Sequence, residues 1–260
     1  TKASNSVRSI TIPLGTRGQS MGAIHDNLQA VRERIARAAV AAGRDPLTVA
    51  LLAVSKTHAA SAVAQAVAAG QRAFGENYAQ EAIEKMDLLR GDIGQERARA
   101  LRWHLVGPLQ SNKTRAVAAR FDWVHTVESE KIARRLSEQR PAGVPPLNVL
   151  IQVNVSGETT KSGISPDDVP RLAAQVSSLP CLKLRGLMAI PEPTTDIGRQ
   201  RASFRQVREL FEKLKQDHPG LDTLSMGMSD DMEAAIAEGA TLVRIGTAIF
   251  GVREKFRPAA

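Results

Sequence analysis

Apolar positions along this chain change their period several times, and the changes mark out its elements. From Met21 onward Ile24, Leu28, Val31 and Ile35 recur three or four apart, the spacing of one helix face, until Gly43 and Asp45-Pro46 stop the pattern. Eight short apolar, β-branched runs follow: "VALLAVS" (49–55), "RAFGE" (72–76), "RWHLVG" (102–107), "DWVHTV" (122–127), "NVLIQVN" (148–154), "KLRGLMAI" (183–190), "DTLSMGM" (222–228) and "TLVRIG" (241–246). Their length and branching predict strands. Helical segments fit between them, the clearest over 198–217, where Phe204, Val207, Leu210, Phe211 and Leu214 share a face.

Eight βα units in a 260-residue chain predict an α/β fold: a single (β/α)8 TIM-type barrel over 21–260, with an extra N-terminal helix. An open doubly wound sheet would bring a Gly-rich first turn, and neither GxGxxG nor a Walker sequence is present. The stretch "RPAGVPP" reads as a loop ahead of the fifth strand.

Composition narrows the classes. Aromatic residues make up only 3% of the chain, so the core is built mainly from Ala, Val, Leu and Ile. A net charge of +8 raises the question of a nucleic-acid partner. The basic residues, however, are interleaved with acids in helical stretches such as "VRERIARAA" and "RQVRELFEKLK", the pattern of a solvated surface. Few rings are available to stack bases, and no nucleic-acid partner is expected. The single cysteine, Cys181, excludes an internal disulfide, and no apolar run approaches the roughly 18 residues needed to span a bilayer. The expectation is a cytoplasmic protein without a membrane partner. Residues 1–20 hold Lys2, Arg8 and Arg17 and no acid, and read as a loose extension; a transit peptide has a similar composition.

In a barrel, function gathers at the C-terminal ends of the strands. Lys56 ends the first strand, Asn77 the second, and His104 lies within the third; Asn154 ends the fifth, with Lys161 a few residues on. Ser225, Met228 and Ser229 belong to the end of the seventh, and Arg244, Gly246 and Thr247 close the eighth. A strand-end lysine ordinarily holds its ammonium in water. Lys56 instead follows a strand apolar on both faces, where desolvation and the cation Arg244 would favour a nucleophilic amine and Schiff-base chemistry with a carbonyl. Loops after strands seven and eight are the usual phosphate position of the fold. Ser229 at a helix start and the Gly246-Thr247 turn supply donors there, although each also reads as a plain N-cap or tight turn, and Asp230 and Asp231 oppose an anion. Lysine and phosphate grip together describe a carbonyl-bearing phosphate ester, and pyridoxal 5′-phosphate (PLP) is the common cellular compound that needs both. Arg244 is then either the partner of a pyridine nitrogen, keeping it unprotonated, or a rim salt bridge.

The motifs "AVSKTH", "FGENYAQE", "WHLVGPLQSNK", "VNVSGETTKSGI", "LRGLMAIPEP" and "LSMGMSDDMEAAI" followed by "VRIGTAIFG" closely resemble the pyridoxal phosphate homeostasis proteins, from about residue 22 to 256. The resemblance implies the fold-type III PLP barrel, also used by the N-terminal domain of alanine racemase. It implies Lys56 as the Schiff-base lysine, Ser229, Gly246 and Thr247 on the phosphate, Arg244 at the pyridine nitrogen, and Asn77 and His104 near the ring. It makes Lys161 a secondary lysine of cofactor release or transfer, with a solvated loop lysine as the plainer alternative. The basic extension and "SGETT", where a more acidic stretch is expected, depart from the family pattern.

A PLP racemase needs two bases flanking the substrate α-carbon. In alanine racemase the second is a tyrosine from a further domain, and the only tyrosine here is Tyr78, early in the helix after strand two. The sequence therefore predicts a non-catalytic carrier that stores, buffers or delivers PLP, with apo PLP-dependent enzymes as candidate recipients. The chain is expected to be a monomer. A racemase, or a Schiff-base aldolase acting on a sugar phosphate, is the alternative. None of the five histidines shows zinc-site spacing and there is no GxSxG elbow.

Overall fold

The computed structural model describes residues 21–156 and 162–252. The 1–20 extension and Lys161 lie outside the described residues. Strands β1 (Ala50–Val54), β2 (Ala73–Glu76), β3 (Arg102–Leu105), β4 (Trp123–Val127), β5 (Leu147–Val153), β6 (Leu182–Ala189), β7 (Thr223–Ser225) and β8 (Leu242–Ile245) form a closed parallel barrel in sequence order. It closes where β1 pairs with β8, with Leu52 opposite Arg244 and Ala53 opposite Ile245.

Helix α1 (Met21–Ala41) precedes the barrel. Helices α2 (Ala60–Ala68), α3 (Ala79–Ile93) with α4 (Gln95–Arg99), α5 (Thr114–Arg120), α6 (Glu130–Glu138), α7 (Val169–Ser177), α8 (Ile197–Asp217), α9 (Met232–Ala237) and α10 (Thr247–Phe250) follow the strands in turn. The N-terminal helix is thus an addition to the eight units, and its stripe of Ile24, Leu28, Val31 and Ile35 is buried.

Strand alternation sorts the side chains into two cores. Ala53, Phe74, Trp103, Leu105, Val149, Ile151, Leu187, Val243 and Ile245 belong to the large apolar cluster shared with the helices. Leu52, Leu150, Met188 and Leu242 are equally buried but stand outside that cluster, filling the barrel interior together with polar residues. Gly186 of β6 pairs with Thr223 of β7, and the strands approach so closely there that a Cβ on Gly186 would lie 1.9 Å from the Thr223 carbonyl oxygen.

Candidate functional site at the strand C-termini

Seven positions singled out at strand ends meet in one cavity of about 620 Å³: Lys56, Asn77, Arg244, Gly246 and Thr247, with Met228 and Ser229 from the β7 turn. A smaller cleft of about 340 Å³ lies at the opposite end, against Trp103 and Asp122 where β3 and β4 begin, away from the end where barrels carry function.

Lys56 lies two residues past the end of β1, after Ser55, and is half-buried, and the next residue, Thr57, has φ +65°. Opposite, Arg244 is 5% exposed. Its Nη1 donates to the Ser225 carbonyl (2.6 Å) and Ser225 Oγ (2.8 Å), and its Nη2 to the Ala189 carbonyl (2.9 Å). Burial pushes its pKa down to about 10, still far above neutrality, so the guanidinium stays charged. The rim salt bridge is not what is found: three neutral oxygens hold Arg244 in place.

Gly246 begins the turn into α10, where helix geometry leaves the first amides without intrahelical partners. A Cβ there would meet the Val54 carbonyl oxygen at 3.0 Å, so any other residue would require β1 to give by a few tenths of an ångström. The β7 turn is closed by Asp231, whose carboxylate accepts from the Met228 amide at 2.6 Å. That carboxyl is raised above its ordinary range, chiefly by burial. Of the two acids noted as opposing an anion, Asp231 is therefore engaged with its own turn, whereas Asp230 lines the cavity.

Two candidates lie deeper. Ser225 and His104 do not line the cavity but belong to a hydrogen-bonded chain inside the barrel. From Arg244 it passes to Ser225 Oγ, then to His125 Nδ1 at 3.0 Å, and from His125 Nε2 to His104 Nδ1 at 2.9 Å. When the Ser225 hydroxyl donates to His125 Nδ1, the neutral ring carries its proton on Nε2 and donates it to His104 Nδ1; the other tautomer reverses both bonds. The His104 ring stacks on Trp123, centroids 5.2 Å apart.

Burial holds His104 down to about 3, and burial, His104 and Arg244 hold His125 well below its ordinary value. Both are neutral when folded, whereas the unfolded chain takes up protons below about 6.5. Their contribution is thus complete above that pH and is lost as pH falls toward 3. We expect stability to drop by roughly 2 kcal/mol per histidine between pH 7 and 5. Denaturant titrations at the two pH values measure it, and a flat profile would contradict neutral burial.

Asn77 is held by another close approach. A Cβ on Gly107 would fall 2.3 Å from the Asn77 carbonyl oxygen and 2.6 Å from its Cα. Gly107→Ala must displace that backbone and is expected to cost about 1–3 kcal/mol, read by thermal unfolding. An unchanged melting temperature would show the approach to be looser.

Sequence reasoning passed over Arg34, His58 and Ile190, which also line the cavity. Arg34 comes from α1, outside any strand-end rule, and is held by Glu233 through Nε–Oε1 (2.5 Å) and Nη2–Oε2 (2.7 Å). His58 stands two residues past Lys56 and stacks on Phe250, centroids 5.1 Å apart. Among the described residues no group of His, Cys, Asp and Glu could hold a metal ion, and no helix is long and apolar enough to cross a membrane.

Comparison with known proteins bears on this geometry. Residues 22–254 match the family model described as alanine racemase, N-terminal domain. The pyridoxal phosphate homeostasis protein of Pseudomonas aeruginosa is 60% identical over 240 residues, covering 92% of this chain and all of that protein. The pyridoxal phosphate homeostasis protein of Escherichia coli K12 is 55% identical over 234 residues, covering 90% and 98%. Among solved structures, PipY of Synechococcus elongatus with PLP bound superposes with a TM-score of 0.75 at 38% identity, covering 88% of this chain and 100% of PipY.

Proposed function

This chain belongs to the alanine racemase N-terminal domain family and, within it, to the pyridoxal phosphate homeostasis proteins, and from that membership we propose that it binds PLP in the cavity at the strand C-termini and serves PLP homeostasis by storing, buffering or delivering the cofactor. The observation that carries this is the meeting, in one cavity, of a half-buried lysine, a buried guanidinium and a glycine turn with available amides.

The residues fit the group. The cavity is within the size range of small-ligand sites. Lys56 Nζ would hold the aldehyde carbon. Gly246 permits the close backbone approach that lets the Thr247 and Ala248 amides, with the Thr247 and Ser229 hydroxyls, hold the phosphate. Arg244 is fixed on neutral oxygens, with no carboxylate bonded to it among the described residues, so its guanidinium can present a donor to the pyridine nitrogen. When bound, PLP supplies an electron-withdrawing ring and an aldehyde reactive toward amines. A permanently charged arginine at the ring nitrogen disfavours protonation there and so weakens the ring as an electron sink, which suits holding the cofactor better than turning over an amino acid. Asn77 would border the ring. His104 and Ser225 would act from beneath, by keeping Arg244 in position. In this account no catalysis of its own is assigned to the chain, and recipients are apo PLP-dependent enzymes.

Equilibrium dialysis of PLP against pyridoxal, followed by an amino-acid racemisation assay on the loaded protein, tests the proposal. Retention that depends on the phosphate, without turnover, is expected. Equal retention of the two compounds would overturn the phosphate site, and turnover would move the protein into the racemases.

A further inference from the structure

Resting on the proposal that Lys56 captures the cofactor, we infer that Lys85, Glu81 and Glu76 form a buried clamp that positions Lys56 by fixing the residues on either side of it. Lys85 is 4% exposed and Glu76 fully buried. An ammonium has three protons to donate. Those of Lys85 go to the Ser55 carbonyl (2.8 Å), Glu76 Oε1 (2.6 Å) and Glu81 Oε1 (3.2 Å). Ser55 Oγ also donates to Glu76 Oε1, at 2.7 Å. On the other side of Lys56, the Thr57 amide donates to the same Glu81 Oε1, at 2.6 Å.

Residues 55 and 57 are thus tied to one ammonium, directly and through Glu81, and Lys56 is the residue between the two anchors. Glu81 and Lys85 lie four apart on α3, on one helix face. Thr57 has φ +65°, a left-handed conformation that a β-branched residue adopts only under constraint, and the Glu81 bond supplies one. Since a strand end alone would leave this backbone free to relax, the clamp sets the direction in which the Lys56 amine leaves the chain. These are positioning residues: none of the three lines the cavity.

The step that reads out the direction is capture. The Nζ lone pair adds to the aldehyde carbon, and the carbonyl oxygen leaves as water with both amine protons. Two quantities separate positioning from mere support: the rate at which the visible band grows on mixing with PLP, and the affinity for pyridoxine 5′-phosphate, which lacks the aldehyde. Because a Lys85 variant strands a buried carboxylate, the test uses Glu81, whose side chain is 34% exposed.

Glu81→Ala is expected to slow capture on the order of tenfold or more, the scale on which a small misplacement of a reacting group acts, with affinity for the alcohol changed by less than about twofold. Glu81→Gln keeps an acceptor for Thr57 and Lys85 and should restore most of the rate. Thr57→Gly placed on Glu81→Ala should recover part of it, since glycine takes the left-handed conformation without cost. Wild-type capture by Glu81→Ala, or an affinity that falls by the same factor as the rate, overturns the clamp alone. Absence of capture in the wild type overturns the Lys56 proposal and the clamp with it.

Discussion

Lys56→Ala, mixed with PLP, will show no visible band, and borohydride will fix no cofactor to it. The loss should be complete, because the remaining residues of the cavity offer hydrogen bonds and charge but no second amine on β1. Arg244 and the Gly246 turn stay in place, so weaker retention that dialysis removes is expected to persist. The fold should survive, since Lys56 is half-buried at a strand end and its removal opens no core; the change in stability is expected within about 1 kcal/mol. Lys56→Arg separates charge from chemistry: it keeps a cation, yet a guanidinium does not give up its proton to become a nucleophile, and it too should lack the band. Either variant retaining a borohydride-fixable band would sink the assignment.

The largest effect on stability is expected from Lys85→Met. The substitution keeps much of the volume but leaves Glu76, fully buried, with Ser55 Oγ as its named donor and its second carboxylate oxygen already without one. Burial raises the Glu76 carboxyl above its ordinary range even with Lys85 beside it, Lys85 being what pulls it back down. Removing one partner of a buried pair costs about 3–5 kcal/mol, because the other charge stays uncompensated. A fall in melting temperature on the order of 10 °C should follow. Glu76→Gln added to Lys85→Met removes the stranded charge, so the double variant should be more stable than the single one, a coupling that a denaturant-based mutant cycle reads directly. A single-variant cost below about 1 kcal/mol would mean that the pair is better solvated than its burial indicates.

The barrel was legible because its signals are local and repeated. Eight apolar runs bounded by turn residues, with helical periods between them, admit few architectures, and most strand limits fall within one or two residues of the pattern. The seventh ran too long, as 222–228 against Thr223–Ser225. Its apolar alternation continues through Met226 and Met228, but Gly227 turns to φ +92° and packs against Ala235, ending the strand. The cavity was legible to the extent that the strand-end rule reaches: it named Lys56, Asn77 and Arg244, and could not name Arg34, delivered by a helix more than two hundred residues from Arg244 in sequence.

Depth was harder to read. Strand alternation sends His104 and Ser225 to the barrel interior but does not say how far below the mouth they sit, and they join His125 in a chain behind Arg244. Nor did Glu76 and Lys85 announce themselves. "FGENYAQE" presents its acids as solvated charges, and only the packing of α3 against the end of β1 shows that one ammonium satisfies three oxygens there.

The claim on which the rest depends is that Lys56 carries the cofactor. Peptide mapping by mass spectrometry, after saturation with PLP and borohydride reduction, addresses it most directly. One dominant modified peptide, with the adduct on Lys56, is the predicted result; an adduct on another lysine with Lys56 unmodified, or a scatter over many surface lysines, would contradict it.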